Sequence, residues 1–292
     1  MTVTAAATPA QAARGPAAVT AGGVAENDGV WISWRAHGEG EPVLMIMGFM
    51  GSSRAWFRLL PHVSSQRRAI VFDNRGTGDS DRPPGLWTMR DMAADGLSVL
   101  DAAGVESAHV IGASMGGMIA QHLALEAPER VRSLILCATH PGRRPGPPPW
   151  RMLASIAARP VLGSGRTFRV VAPLLYSERT RREHPERLEA DMRMRAEDLA
   201  PAATAPAQAA AIASHDTRDR LGGLRMPVLV LHGEEDALMP LEDARELAER
   251  IPRARLIQLP DCGHVLATDA EERVAEAVGS FLDEVGDTPP DR

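Results

Sequence analysis

The 292-residue chain contains no lysine, so all 32 of its basic side chains other than histidine are arginine. Without lysine there is no Schiff-base catalysis, no P-loop and no serine–lysine pair. Cysteine is nearly absent, with Cys137 and Cys262 the only two. Two thiols cannot build a cysteine metal cluster or a disulfide framework, and they suit a reducing, cytoplasmic location. Long apolar runs are missing too, so no membrane span is expected. A formal net charge of -6 argues against nucleic acid as a partner. Residues 1–23 lack both the basic start and the apolar segment of a secretory signal, and their Ala/Thr/Pro-rich composition predicts a flexible tail.

What is present is a regular alternation of apolar runs. Val30–Ala36 alternates and predicts an edge strand. Val43–Met47, Arg68–Phe72, Ala108–Ile111, Ser133–Ala138, Val228–Leu231 and Arg255–Leu259 read as further strands, several of them apolar throughout. Helical spacing runs through Trp56–Val63, Met89–Ala103, Met115–Leu125, Leu241–Ile251 and Ala270–Val285. Strands alternating with helices predict an α/β fold with a mainly parallel central sheet flanked by helices. The alternation stops at His140 and resumes at Pro227. Between them the chain is Pro-punctuated, Arg-rich and helical in character, clearest over Arg187–Leu199, with one weak strand-like run at Arg169–Val171. The expected organisation is a tail (1–23), a core in two pieces (24–140 and 222–292) and a helical cap insertion (141–221).

The chemistry centres on Gly112-Ala113-Ser114-Met115-Gly116, a G-x-S-x-G turn between a strand and a helix. Such a turn strains the serine backbone, exposes its hydroxyl, and needs glycines where strand and helix approach. Serine is a poor nucleophile near neutral pH and requires a base, itself oriented by an acid. In a parallel sheet these groups gather at the carboxyl ends of strands. Asp236 follows the Val228–Leu231 strand, with Glu234 and Glu235 as rivals read as solvated turn charges. His264 follows the Arg255–Leu259 strand, and Gly263 is expected to free the backbone that swings it inward. The order Ser114, Asp236, His264 is nucleophile, acid, base. The Met115 amide, directly after the nucleophile, is one expected oxyanion donor.

On these residues, together with Phe72-Asp73-Asn74-Arg75-Gly76-Thr77-Gly78-Asp79-Ser80, the chain resembles the α/β-hydrolase fold from about Val30 to Val285. Within it the resemblance is to the esterase, 3-oxoadipate enol-lactonase and aclacinomycin-methylesterase-like group. The resemblance implies a serine hydrolase of a small carboxylic ester or lactone, acting through an acyl-enzyme and without cofactor or metal. It also implies a second oxyanion donor in the loop after Val43–Met47. Many relatives have His-Gly-x there; this chain has Met47-Gly48-Phe49, which makes the Phe49 amide the candidate. The Asp73–Gly76 segment is implied to be a structural turn. By position, Gly48, Met50, Met118 and Trp150 are expected to meet a small-molecule substrate, with Leu153, Phe168 and Leu175 nearby. The same triad also serves carbon–carbon bond hydrolysis and cofactor-free perhydrolysis, and a non-enzymatic ligand sensor on this fold is the third reading. Nothing in the sequence speaks to oligomeric state.

Overall fold

The apolar strands alternate their side chains between two cores. Leu44 and Ile46, Ile70 and Phe72, Leu134 and Leu136, and Val228 and Val230 enter one apolar cluster. Val43 and Met45, Ala69 and Val71, Ile135 and Cys137, and Leu229 and Leu231 enter the other. Burial on both faces is why these strands read as continuous apolar runs. Each fully buried aliphatic side chain of this kind contributes about 1.5–3 kcal/mol.

The computed structural model describes residues 18–142, 154, 168–198 and 200–286, with backbone alone at 196 and 197. Among them is an eight-stranded sheet with strands β1 (Val19–Asn27), β2 (Val30–His37), β3 (Pro42–Ile46), β4 (Arg68–Phe72), β5 (Ala108–Ala113), β6 (Val131–Cys137), β7 (Val228–Gly233) and β8 (Ala254–Leu259). Their order is β1-β2-β4-β3-β5-β6-β7-β8. The pairings β1–β2 and β2–β4 are antiparallel and the rest are parallel. Helices α2 (Met89–Ala102), α3 (Met115–Glu126) and α8 (Leu241–Arg250) add buried residues to the first cluster. Helices α1 (Leu60–Ser64), α9 (Leu266–Asp269) and α10 (Glu271–Gly286) do so for the second. Thr88 and Asp91 start α2 with a reciprocal capping box, which satisfies two otherwise orphaned amides.

Four expectations are corrected. Residues 19–23, assigned to the flexible tail, form the first half of β1. That strand is mostly exposed and Gly-containing, so it carries little alternating signal. β2 is consequently not an edge strand but lies between β1 and β4. The helix expected over Trp56–Val63 is split into a 3-10 turn (Ser53–Trp56) and the short α1, with Pro61 inside the first turn of α1. Arg169–Val171 is not strand-like: residues 168–175 are helical (α4), because β-branched side chains express strand preference only beside a partner strand.

The inserted segment continues with α5 (Glu178–Glu183), α6 (Pro185–Asp198) and α7 (Ala205–Ser214). It is fastened to the core by buried polar groups. Asp191 on α6 accepts from Arg58, from the Tyr176 hydroxyl at 3.0 Å and from Thr268 Oγ1 at 2.6 Å. Three buried histidines form a second fastening. His215 Nε2–H donates to the His140 carbonyl at 3.1 Å, which leaves Nδ1 to accept from His122 Nε2–H at 3.2 Å. That arrangement needs a neutral His215 ring, whose Nδ1 must stay free to accept. Burial, reinforced by Arg220 and Arg90 against the pull of Glu126, lowers His122 to about 4. Burial and Arg218, opposed by Asp216, lower His140 to about 4. Burial and the two neighbouring rings lower His215 to about 3.

A base whose folded pKa is depressed stabilises the fold above its unfolded pKa and loses that stability as pH falls toward the folded value. Stability is therefore expected to decline between pH 6.5 and about 4, with a depression to about 4 worth about 3 kcal/mol for one isolated ring. Thermal unfolding followed by circular dichroism across that range checks it. His215→Gln should flatten the decline, and a wild-type melting temperature constant from pH 7 to 4 would contradict it.

Candidate active site

The turn between β5 and α3 holds Ser114 at φ 55°, ψ -119°, outside the ordinary regions for a residue with a Cβ. Its geometry depends on the flanking glycines. A Cβ on Gly112 would stand 2.4 Å from the Gly116 carbonyl oxygen, and one on Gly116 would stand 2.0 Å from that of Ile46. The Ser114 N–H is tied to the Cys137 carbonyl of β6 at 2.8 Å, fixing the turn against the sheet. The strain of Ser114 is thus held by contacts that any larger residue would break.

At the end of β7, Asp236 is oriented by its own loop. Its Oδ1 accepts from the Leu238 and Met239 amides, both at 2.9 Å. His232 Nε2–H steadies that loop by donating to the Met239 carbonyl at 2.7 Å. Burial, outweighing the nearby Asp236, holds His232 below its ordinary pKa, hence neutral. Oδ2 of Asp236 remains for His264, whose Nδ1–H donates to it at 2.8 Å. His264 Nε2 then accepts from Ser114 Oγ at 2.9 Å. The carboxylate side chain is fully buried and the imidazole 9% exposed. Ser114, His264 and Asp236 come from three loops at the carboxyl edge of the sheet and form one continuous hydrogen-bonded relay. Glu234 and Glu235 are exposed.

The loop bearing His264 shows why Gly263 is small. It does not take a positive φ, contrary to the expectation of backbone freedom. A Cβ there would lie 2.9 Å from the Tyr176 carbonyl carbon and 3.0 Å from the Leu175 oxygen, so the reason is close approach to the inserted segment. The loop is clamped on both sides of the histidine. The Gly263 amide donates to Asp269 Oδ2 at 2.7 Å and the Val265 amide to the Leu175 carbonyl at 2.9 Å.

The loop after β3 lies against the serine turn: a Cβ on Gly48 would meet Ser114 Cβ at 3.1 Å and the Met115 nitrogen at 3.7 Å. Neither the Phe49 nor the Met115 amide donates to an acceptor among the described residues. Asn74 Nδ2 donates to the Met47 carbonyl at 2.8 Å and Asp73 Oδ1 accepts from the Ser53 amide at 2.8 Å. The Asp73–Gly76 segment thus supports this loop, and Arg75 forms a buried bidentate pair with Asp95 at 2.7 and 2.6 Å. Phe49 and Met50 pack with Ala200 and Ala205 of the insertion. Phe168 and Leu175 join Leu238 and Val265, next to the acid and the histidine. Met118 is fully buried in the main core cluster. Trp150 and Leu153 lie outside the described residues. His140 is buried in the histidine cluster.

Sequence reasoning missed the side chains that hold the loops: His232, Asp269, Asp198 and Gln208. For Gln208 a signal existed, since it is the single polar residue in the Ala-rich run Ala205–Ala213. Among the described residues no group of three or more His, Cys, Asp or Glu side chains is arranged to hold a metal ion, and no helix is long and apolar enough to cross a membrane.

A family model described as alpha/beta hydrolase fold matches residues 41–270. A protein of Azorhizobium caulinodans, provisionally named carbamate hydrolase RutD, is 33% identical over 254 residues, which are 86% of this chain and 95% of that one. The 2-hydroxymuconate semialdehyde hydrolase of a Pseudomonas species is also 33% identical, over 85% of this chain and 88% of its own. Among solved structures, a thermophilic esterase from Thermogutta terrifontis matches with a TM-score of 0.79 and 30% identity, covering 91% of this chain and 99% of that one.

Proposed function

The chain belongs to the α/β-hydrolase family, and from that premise we propose that it is a serine hydrolase cleaving a small carboxylic ester or lactone through an acyl-enzyme. The observation that carries this reading is the relay from Ser114 Oγ through His264 to Asp236, at 2.9 and 2.8 Å.

Ser114 attacks the substrate carbonyl carbon as His264 Nε2 takes its proton. The oxyanion sits between the Phe49 and Met115 amides, where removing one donor typically costs about 2.7–4 kcal/mol of the barrier. The backbone donor survives the replacement of the usual histidine by Met47, because it does not depend on that side chain. As the C–O bond breaks, His264 Nε2–H protonates the leaving alkoxide. Water, deprotonated by the same nitrogen, then attacks the acyl carbon, and Nε2–H returns the proton to Ser114 Oγ as the C–Oγ bond breaks and the acid leaves. Asp236 holds the tautomer with Nδ1 protonated and stabilises the transient imidazolium. Phe49 and Met50, with Ala200, Ala205, Phe168 and Leu175, offer apolar surface for the acyl or alcohol part, with Gly48 and Trp150 as further candidate contacts; Met118, fully buried in the main core, is not one. The two free, buried thiols suit a reducing compartment such as the cytoplasm.

A panel of p-nitrophenyl esters from acetate to decanoate, with simple lactones and an aryl carbamate, tests the reading. Ester or lactone turnover with a chain-length optimum is the expected result. The equal similarity to 2-hydroxymuconate semialdehyde hydrolase favours carbon–carbon bond hydrolysis as the second reading. Turnover of a vinylogous diketone with none on any ester or lactone would replace the first reading by the second.

A further inference from the structure

The loop carrying Phe49 has a backbone its sequence does not favour. Met50 sits at φ 59°, a left-handed conformation uncommon for a residue with a side chain. The Gly51 amide closes a turn onto the Gly48 carbonyl at 3.2 Å, with Phe49 and Met50 as its central residues. An unfavoured conformation persists only where its surroundings over-determine it. Asn74 and Asp73 secure the ends of the loop, and neither reaches the turn itself.

The turn is held from the insertion. Gln208 on α7 is fully buried, and its Oε1 accepts from the Met50 amide at 2.9 Å. Its Nε2 donates to the Arg75 carbonyl at 3.5 Å. The reversed amide would put an NH2 group against the Met50 N–H and an oxygen against a carbonyl, so the two partners fix its orientation. Arg75 is itself immobilised by Asp95, which gives Gln208 a rigid second support. One residue beyond the turn, Ser52 Oγ donates to Asp198 at the end of α6. The residue adjacent to the candidate oxyanion donor therefore hangs on a side chain 158 positions away in sequence.

We propose that Gln208 is a positioning residue: by fixing the Met50 amide it aims the Phe49 N–H at the developing oxyanion, so that the insertion preorganises the site as well as covering it. The inference rests on the serine-hydrolase reading. An oxyanion donor contributes only when aimed in advance at the charge that forms, so misaiming it should lower kcat while leaving ground-state binding largely intact.

The test uses the full-length protein, with Gln208→Met removing the acceptor at similar size and Gln208→Glu keeping it. Two readouts are taken from the same samples: kcat and KM on the best p-nitrophenyl ester, and deuterium exchange of the segment Met47–Ser53. For Gln208→Met, kcat should fall roughly tenfold to a hundredfold, below the full 10²–10³ loss of a donor, with KM within about twofold. Exchange in the segment should rise. Gln208→Glu, kept protonated by full burial so that its hydroxyl donates to the Arg75 carbonyl as Nε2 does, should recover most of kcat, which a merely structural defect would not allow. Wild-type kcat or unchanged exchange in a folded Gln208→Met would overturn the proposal. If that variant fails to fold, Gln208→Asn, one methylene too short to reach Met50, carries the same expectations and the same refutation. Absence of ester turnover in wild type would sink the serine-esterase reading instead, while the exchange measurement still decides whether Gln208 holds the loop.

Discussion

Ser114→Ala should lower turnover by roughly 10⁴- to 10⁶-fold while leaving the melting temperature within a few degrees of wild type. The size of the effect follows from the geometry. Ser114 Oγ is the group that His264 Nε2 contacts, and an alanine leaves the imidazole with no nucleophile to activate. Water at that position is neither bonded to the chain nor held at attack distance, so only the oxyanion site and substrate binding continue to act. The fold should tolerate the change. Alanine has the same Cβ as serine in the positive-φ turn, and the Ser114 N–H bond to Cys137 is a backbone contact that alanine keeps. Steady-state kinetics beside a circular dichroism melt separate the two effects. Most of the activity surviving in a folded Ser114→Ala would remove the serine mechanism.

Asp236→Asn should cost about 10⁴-fold in kcat, again with the fold intact. The reason lies in the two amides on Oδ1. Leu238 and Met239 both donate to that oxygen, so an asparagine must place its carbonyl there and turn its NH2 toward His264. An NH2 facing Nδ1 demands an acceptor. The ring then carries its proton on Nε2, and Nε2 can no longer take the proton of Ser114. The substitution thus inverts the tautomer with hardly any change of shape. A fall of less than tenfold would mean that another carboxylate orients the histidine; Glu234 and Glu235 are the candidates, and both are exposed.

The candidate site was legible in the sequence because its chemistry is tied to local pattern. A serine between glycines at a strand–helix junction, and an acid and a histidine after the late strands, reveal themselves within a few residues each. The sheet was legible for the same reason, since β3 to β7 are apolar on both faces. β1 escaped because Val19–Asn27 is largely exposed and has no alternation to detect. Arg169–Val171 misled because a β-branched pair without neighbouring strands says little about backbone. Gly263 was identified as necessary, yet for the wrong cause: the crowding partner, the backbone of Leu175 and Tyr176, is some ninety residues away and invisible to local reading. The same distance hid Gln208, Asp198 and Asp269. Their roles are contacts between segments that only the folded chain brings together.

Covalent trapping of the nucleophile tests the account most directly. Wild type, Ser114→Ala and Asp236→Asn would be incubated with a p-nitrophenyl alkylphosphonate, whose tetrahedral adduct mimics the transition state of acyl transfer. Intact mass and peptide mapping then locate the label. One adduct per chain is expected on Ser114 in wild type, none in Ser114→Ala, and strongly slowed labelling in Asp236→Asn. An adduct on any other residue, or unlabelled protein that still hydrolyses esters, would contradict this.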